Sequence, residues 1–283
     1  RRYADAVETG FIRASELLNE WKIIWHRDVP YPPLIVALAT VFAILGERAN
    51  TAAVKAKLEQ WFWSVSLGEL YGSSTESRIA RDVPDLVSWV DGGPQPRSLD
   101  EAIFQEDRLD SLRIRLSAAY KAVHALLMHN GCRDFVSGKS VDIMTFFNNR
   151  IDIHHIFPKD WCKKQGIDQK IYNSIINKTA LSARTNRKIG GKAPSEYLSA
   201  IEKEDNLSRS ELDAILRSHQ IEPDFLRADD FNAFYQARKE ALSSMIEQAM
   251  GKAVVRGGGQ NETETELESL FDVSLIEEEQ FAG

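Results

Sequence analysis

The sequence is poor in cysteine, in long apolar runs and in repeats. Two cysteines, Cys132 and Cys162, occur in 283 residues. They cannot build a disulfide framework, and no CxxC knuckle offers a structural zinc site. That scarcity fits a reducing, cytoplasmic setting. The longest uncharged apolar run, Leu34 to Leu45, has twelve residues. Crossing a bilayer takes about 20, so this run predicts a buried helix and the expectation is no membrane association. No charged n-region followed by an apolar h-region is visible at the start, so no secretory signal is expected. The chain does not open with Met, which makes a fragment of a longer polypeptide the expectation. A composition of 43% hydrophobic and 27% charged residues excludes a disordered chain overall.

Charge is unevenly spread. The net charge of −7 argues at first sight against a polyanionic partner. Yet residues 261–283 hold eight acids and no Lys or Arg, and without them 35 bases face 34 acids. Residues 133–192 hold twelve bases, five Asp and no Glu, a local balance of +7. A basic field of that density attracts polyanions whatever the tail carries.

The first hundred residues read as helical. Helices are expected over 34–45 and 51–67, the second carrying Trp61 and Trp63 as core aromatics. YGSSTES at 71–77 reads as a polar loop and GGPQPRS at 92–98 as a breaker. Ser98 with Glu101 has the capping-box spacing. One long helix is expected from Arg108 to Asn130, ended by Gly131. Beyond it the texture changes. VDIMTFF at 141–147, IDIHHIF at 151–157 and INKTALS at 176–182 read as strands. From Ser195 the chain returns to helix, with a second capping box at Ser208 and Glu211 and a long amphipathic helix over 229–252. RGGGQ at 256–260 reads as a linker to an acidic tail. The expected fold class is α+β, mostly α-helical. Four parts are expected: helices over 1–130, a small core over 131–200, further helices over 201–255 and a tail over 256–283.

Several residues carry no chemistry in this reading. His124 and His129 lie on the expected long helix as structural residues, and His26 and His219 have no supporting neighbours. The two cysteines are packing residues. Gly131 and Gly138 enclose six residues before GKS, where a phosphate-binding loop needs four, so nucleotide binding there is excluded.

The chemistry concentrates in IDIHHIFPKDWCKKQGIDQKIYNSIINKTALSARTNRKIGGKAPSEYL. His154 and His155 end a strand-like run closed by Pro158; Asn177 follows 22 residues after His155, and Asn186 nine later. A neutral imidazole can take a proton from water near neutral pH, and imidazole nitrogen and amide oxygen are both metal ligands. This spacing resembles the HNH, or ββα-metal, nuclease motif. The strings HHIFP and INKTALSARTNRKIGGKAPSEYL look like the C-terminal HNH domain of GmrSD-type restriction proteins, and WFWSVSLGELYGSSTES resembles the helical region before that domain. The resemblance covers most of residues 1–250, with its sharp motif in 151–198.

That resemblance implies a helical domain wrapping a small ββα-metal core. It implies a DNA endonuclease of a prokaryotic anti-phage or modification-dependent restriction system. His155 would be the general base, with Asn177 propping its ring. His154 and Asn186 would hold a divalent ion, Mg²⁺ or Mn²⁺ with Ni²⁺ as a further option. Arg184, Arg187, Lys188 and Lys192 would meet DNA phosphates. The partner domain in such systems is N-terminal, ParB-like and nucleotide-hydrolysing. One departure stands out: neutral His154 occupies a place where a carboxylate is commoner, which weakens affinity for hard Mg²⁺ and leaves Asp152 as the nearest compensating acid. Successive strand side chains face opposite ways, so a bulge or a strand end is expected at 154–155. An RNA-directed or toxin-like nuclease, and a non-catalytic helical interaction module with a vestigial HNH core, remain alternatives.

Overall fold

The structure, a computed structural model, describes residues 3–140 and 151–257. The described chain is mostly helical, with one small two-stranded sheet. The strand expected at 141–147 and the tail beyond 257 lie outside the described residues.

Helix α1 (Ala4–Glu20) packs along α2 (Pro33–Leu45), as the all-round apolar character of α2 requires. The two backbones approach closely at Gly10, where a Cβ would stand 2.3 Å from the Ala39 carbonyl oxygen. One stretch, Pro33–Asn50, is long and apolar enough to cross a membrane by composition alone. In the fold Leu34, Leu38, Val41 and Phe42 of that stretch are buried. Helix α3 (Ala52–Leu67) starts at Thr51, whose hydroxyl accepts the Val54 N–H. It buries Trp61, Phe62 and Trp63, with Trp21 stacked 4.8 Å from Phe62. Helix α4 (Thr75–Val90) brings in Asp82, a fully buried acid. Its carboxylate accepts from Trp61 Nε1 at 3.2 Å and Tyr71 Oη at 2.8 Å, so the aromatic cluster satisfies it.

Two local expectations fail here. Helix α5 (Arg97–Glu101) starts from Pro96, with Ser98 buried inside it. Glu101 turns instead to Arg78 and Arg81, whose guanidinium groups bind its carboxylate at 2.7–3.1 Å. The single helix expected over 108–130 is two, α6 (Arg108–Ser111) and α7 (Ala118–His129). Tertiary bonds outbid helix propensity between them. The Leu112 carbonyl accepts Ile175 N–H at 2.8 Å, and Arg115 reaches both Asp28 and Asp152. Ser117 then caps α7 through Tyr120 N–H.

The sheet pairs β1 (Asp152–His155) antiparallel with β2 (Lys178–Leu181). The register is Asp152 with Leu181, Ile153 with Ala180, His154 with Thr179 and His155 with Lys178. Between the strands lie α8 (Lys159–Lys164), α9 (Gln169–Tyr172) and a 3-10 turn, Ile175–Asn177. After β2 come α10 (Ala183–Ile189), α11 (Pro194–Glu204), α12 (Arg209–Arg217), α13 (Pro223–Arg227) and α14 (Phe231–Met250). The capping box expected at Ser208 and Glu211 starts α12. Helix α14 is a strut between the two ends of the molecule. Phe234 packs on Phe157 at 5.0 Å just beyond β1, and the Met250 carbonyl accepts from Gln60 of α3 at 3.0 Å.

Candidate active site

A pair of four-residue strands is marginal on its own. Here four buried polar side chains hold it. The Asn177 amide is fully buried: Oδ1 accepts Phe157 N–H at 2.8 Å, and Nδ2 donates to the Phe157 and Tyr172 carbonyls at 3.0 Å each. It closes the segment between β1 and β2 like a rivet. Arg238 of α14 is buried behind the hairpin and donates to the carbonyls of His219, Ile175, Ile176 and Lys178. Burial lowers its pKa to about 9. Tyr197 Oη donates to the Ile156 carbonyl at 3.1 Å, which gives the APSEYL string a structural task. Asp134 receives Ser182 N–H at 2.9 Å and the Thr185 hydroxyl at 2.9 Å, fixing the start of α10. Burial opposes its charge, but those bonds and Ser137 N–H hold the carboxyl below its usual range.

On this scaffold β1 ends at His155, as expected, with one-to-one pairing to that point. His154 and His155 therefore start on opposite faces of the strand. His154 shares its face with Asp152 and Thr179. It is half-buried, and that burial, opposed by the Asp152 charge, lowers its pKa. His155 is also half-buried, with the Tyr172 ring edge-on at 6.2 Å. Its Nε2 lies 3.0 Å from Asn173 Oδ1.

Two sequence expectations change here. Asn177 does not prop the His155 ring: all three of its amide bonds go to backbone, and Asn173 contacts the imidazole instead. Asp152 Oδ1 accepts from Arg115 at 2.6 Å and from Ile153 N–H at 2.8 Å. His219 is not without neighbours: it is fully buried, its Nε2 donates to the Arg133 carbonyl at 2.6 Å, and Thr179 Oγ1 donates to Nδ1 at 2.6 Å.

The basic residues divide. Arg184 pairs with Asp205 at 3.0 Å, and Lys188 with Glu204 and Asp205. Arg187 and Lys192 are exposed and carry no ion pair among the described residues. Asn186, beside them on α10, is half-buried, and neither its amide nor the His154 ring makes a side-chain hydrogen bond among the described residues. No three of His, Cys, Asp and Glu gather closely enough to hold a metal ion among the described residues.

The residues missed from sequence are Asn173, Asp134, Arg238 and Tyr197. Asn173 stands four residues before Asn177 and has no motif of its own. The other three act across 41 to 63 residues, apart from the Arg238 bond to the His219 carbonyl, which spans 19.

The comparisons with known proteins are sparse. An uncharacterized protein of Methanocaldococcus jannaschii is 26% identical over 243 residues, covering 77% of this chain and 40% of that relative. The chain thus spans about two fifths of that relative's length. No known protein-family pattern matches the chain, and no solved structure matches it.

Proposed function

We propose that the chain is a metal-dependent HNH-type endonuclease that hydrolyses phosphodiester bonds in DNA, the effector part of a prokaryotic restriction or anti-phage system. One observation carries the reading. In consecutive order the chain lays down β1 ending in His154 and His155, β2 behind a buried Asn177, and a helix bearing Asn186 beside exposed Arg187 and Lys192. The restriction role rests on the resemblance of HHIFP and INKTALSARTNRKIGGKAPSEYL to GmrSD-type proteins. By the same resemblance the partner is foreign DNA, with an N-terminal nucleotide-hydrolysing domain as gate.

The residues divide the chemistry. His155 takes a proton from water. The resulting hydroxide attacks phosphorus, a P–O bond forms, and the bond to the leaving sugar oxygen breaks. His154 and Asn186 are the residues that would hold a divalent ion, which offsets charge on the phosphate and the leaving oxygen. His154 in its neutral form suits Mn²⁺ or Ni²⁺ at least as well as Mg²⁺. Arg187 and Lys192 meet the backbone.

The test is a plasmid-nicking assay on the full chain with Mg²⁺, Mn²⁺, Ni²⁺ and EDTA in parallel. A metal-dependent nick is expected from the parent, and a loss of about 10²–10⁴-fold from His155→Ala, with an unchanged circular dichroism spectrum. Equal rates for parent and variant would end the proposal. Parallel single-stranded DNA and RNA substrates decide between DNA and RNA as the target.

A further inference from the structure

We infer that His129 is a pH-sensitive latch in the helical region: as an imidazolium it joins α1 and α3 to the end of α7, and loss of its proton on the alkaline side opens that joint. The inference stands apart from the nuclease reading.

Hydrogen-bond accounting carries it. Both ring nitrogens of His129, the last residue of α7, face acceptors. Nδ1 lies 3.3 Å from the carbonyl oxygen of Glu20, the last residue of α1. Nε2 lies 2.8 Å from Glu59 Oε1 on α3. A carbonyl oxygen only accepts, so the first contact needs a proton on Nδ1. Oε1 also receives the Trp63 indole N–H at 3.3 Å. The bond from His129 holds the Glu59 carboxyl below its ordinary range, against its burial, and Trp63 and Trp21 add to that. Oε1 is then a carboxylate oxygen, and the second contact needs a proton on Nε2. A neutral imidazole has one N–H and fills one of these contacts; the imidazolium fills both.

The surrounding charges agree. The Glu59 bond raises the His129 pKa above 6.5, burial opposes it, the Glu20 carbonyl adds to it and the Lys22 charge opposes it. The Glu20 carboxylate is occupied by Lys55 Nζ at 2.8 and 2.9 Å. The Trp63 ring stands beside the imidazole at 6.2 Å. About a quarter of the His129 side chain, 26%, is exposed, so its proton is open to solvent. The position gives the latch its reach. Five residues after His129, Asp134 fixes the start of α10. The joint thus holds the end of the helical region from which the chain enters the core. Its stabilisation is complete below pH 6.5, the unfolded value, and is lost as pH rises through the raised folded value. On the acid side the Glu59 contribution is lost as pH falls through its lowered folded value.

Histidine-labelled nitrogen NMR of the full chain, assigned with His129→Gln, follows the ring from pH 5 to 9. Two N–H groups on the His129 ring at pH 6 and a titration midpoint above 6.5 are expected, with the midpoint shifted down toward 6.5 in Glu59→Gln. A parent midpoint at or below 6.5, or the same midpoint in parent and Glu59→Gln, overturns the inference. Urea unfolding gives a second reading. The loss of stability from His129→Gln should be larger at pH 6 than at pH 9. An equal loss at both would make His129 a packing residue and refute the latch. Glu59→Gln keeps the shape of the partner, and its loss should shrink in the same way; a constant loss counts against the latch.

Discussion

The helical region and the two-stranded core are held together by different forces. Residues 3–129 bury Trp21, Trp61, Phe62 and Trp63; the buried acid Asp82 satisfies the Trp61 N–H and Tyr71 O–H, and Glu59 accepts from Trp63. The strand pair buries Ala180 and Leu181, and in addition Asn177, Arg238, Asp134 and Tyr197 bind it and its flanks through backbone groups. Apolar packing tolerates rearrangement at modest cost. A buried hydrogen-bond network does not, because each lost partner strands a desolvated group. The segment that carries His154 and His155 is therefore built from the less forgiving material.

The largest test of that contrast is Arg238→Met. It removes a buried guanidinium from four carbonyl oxygens. A loss of about 3–5 kcal/mol is expected in urea unfolding. A loss below about 1 kcal/mol would show that apolar packing alone holds the hairpin. Gly10→Ala is next, since its methyl would strike the Ala39 carbonyl and must part α1 from α2. About 1–3 kcal/mol is expected, with nicking per folded molecule unchanged. A large loss of activity there would break the separation between the regions.

Acid sharpens the comparison differently. Burial depresses the pKa of His124, in the helical region, to about 3 and that of His219, behind β2, to about 4. Both rings are neutral when folded, so their contribution is complete above about pH 6.5, the unfolded value. It declines as pH falls from there toward 4, because the unfolded chain binds protons the folded one refuses. The slope is about 1.4 kcal/mol per pH unit per ring. Urea midpoints measured from pH 7.5 to 4.5 should show that decline, and His219→Gln should flatten part of it. The smallest effect concerns charge. Arg187→Ala should reduce the salt slope of DNA binding by about 1. Arg184→Ala should change it less, since Arg184 already pairs with Asp205. Equal slopes for the two would remove the distinction.

Much of this fold was legible in one dimension. Apolar periodicity marked α2, α3 and α14, and β-branched runs marked β1 and β2, because those signals repeat within one element. The break between α6 and α7 was not legible. Arg115 looks like any helical arginine until Asp28 and Asp152 are in reach. In the same way Ser98 and Glu101 have capping-box spacing, but Arg78 and Arg81 claim the carboxylate. For the site, the string identified which residues to examine, His154, His155, Asn177 and Asn186. It misassigned the prop of the imidazole.

Residue order alone determined most of the kinds of element and their succession. These follow from local propensity and from spacing along the chain. Folding in space decided which amide meets which ring. Asn173 rather than Asn177 contacts His155, Asp152 goes to Arg115, and Arg184 and Lys188 go to Asp205. The reason is physical: a polar side chain entering a low-dielectric interior must bond to whatever lies within about 3 Å, and chain order does not set that neighbour.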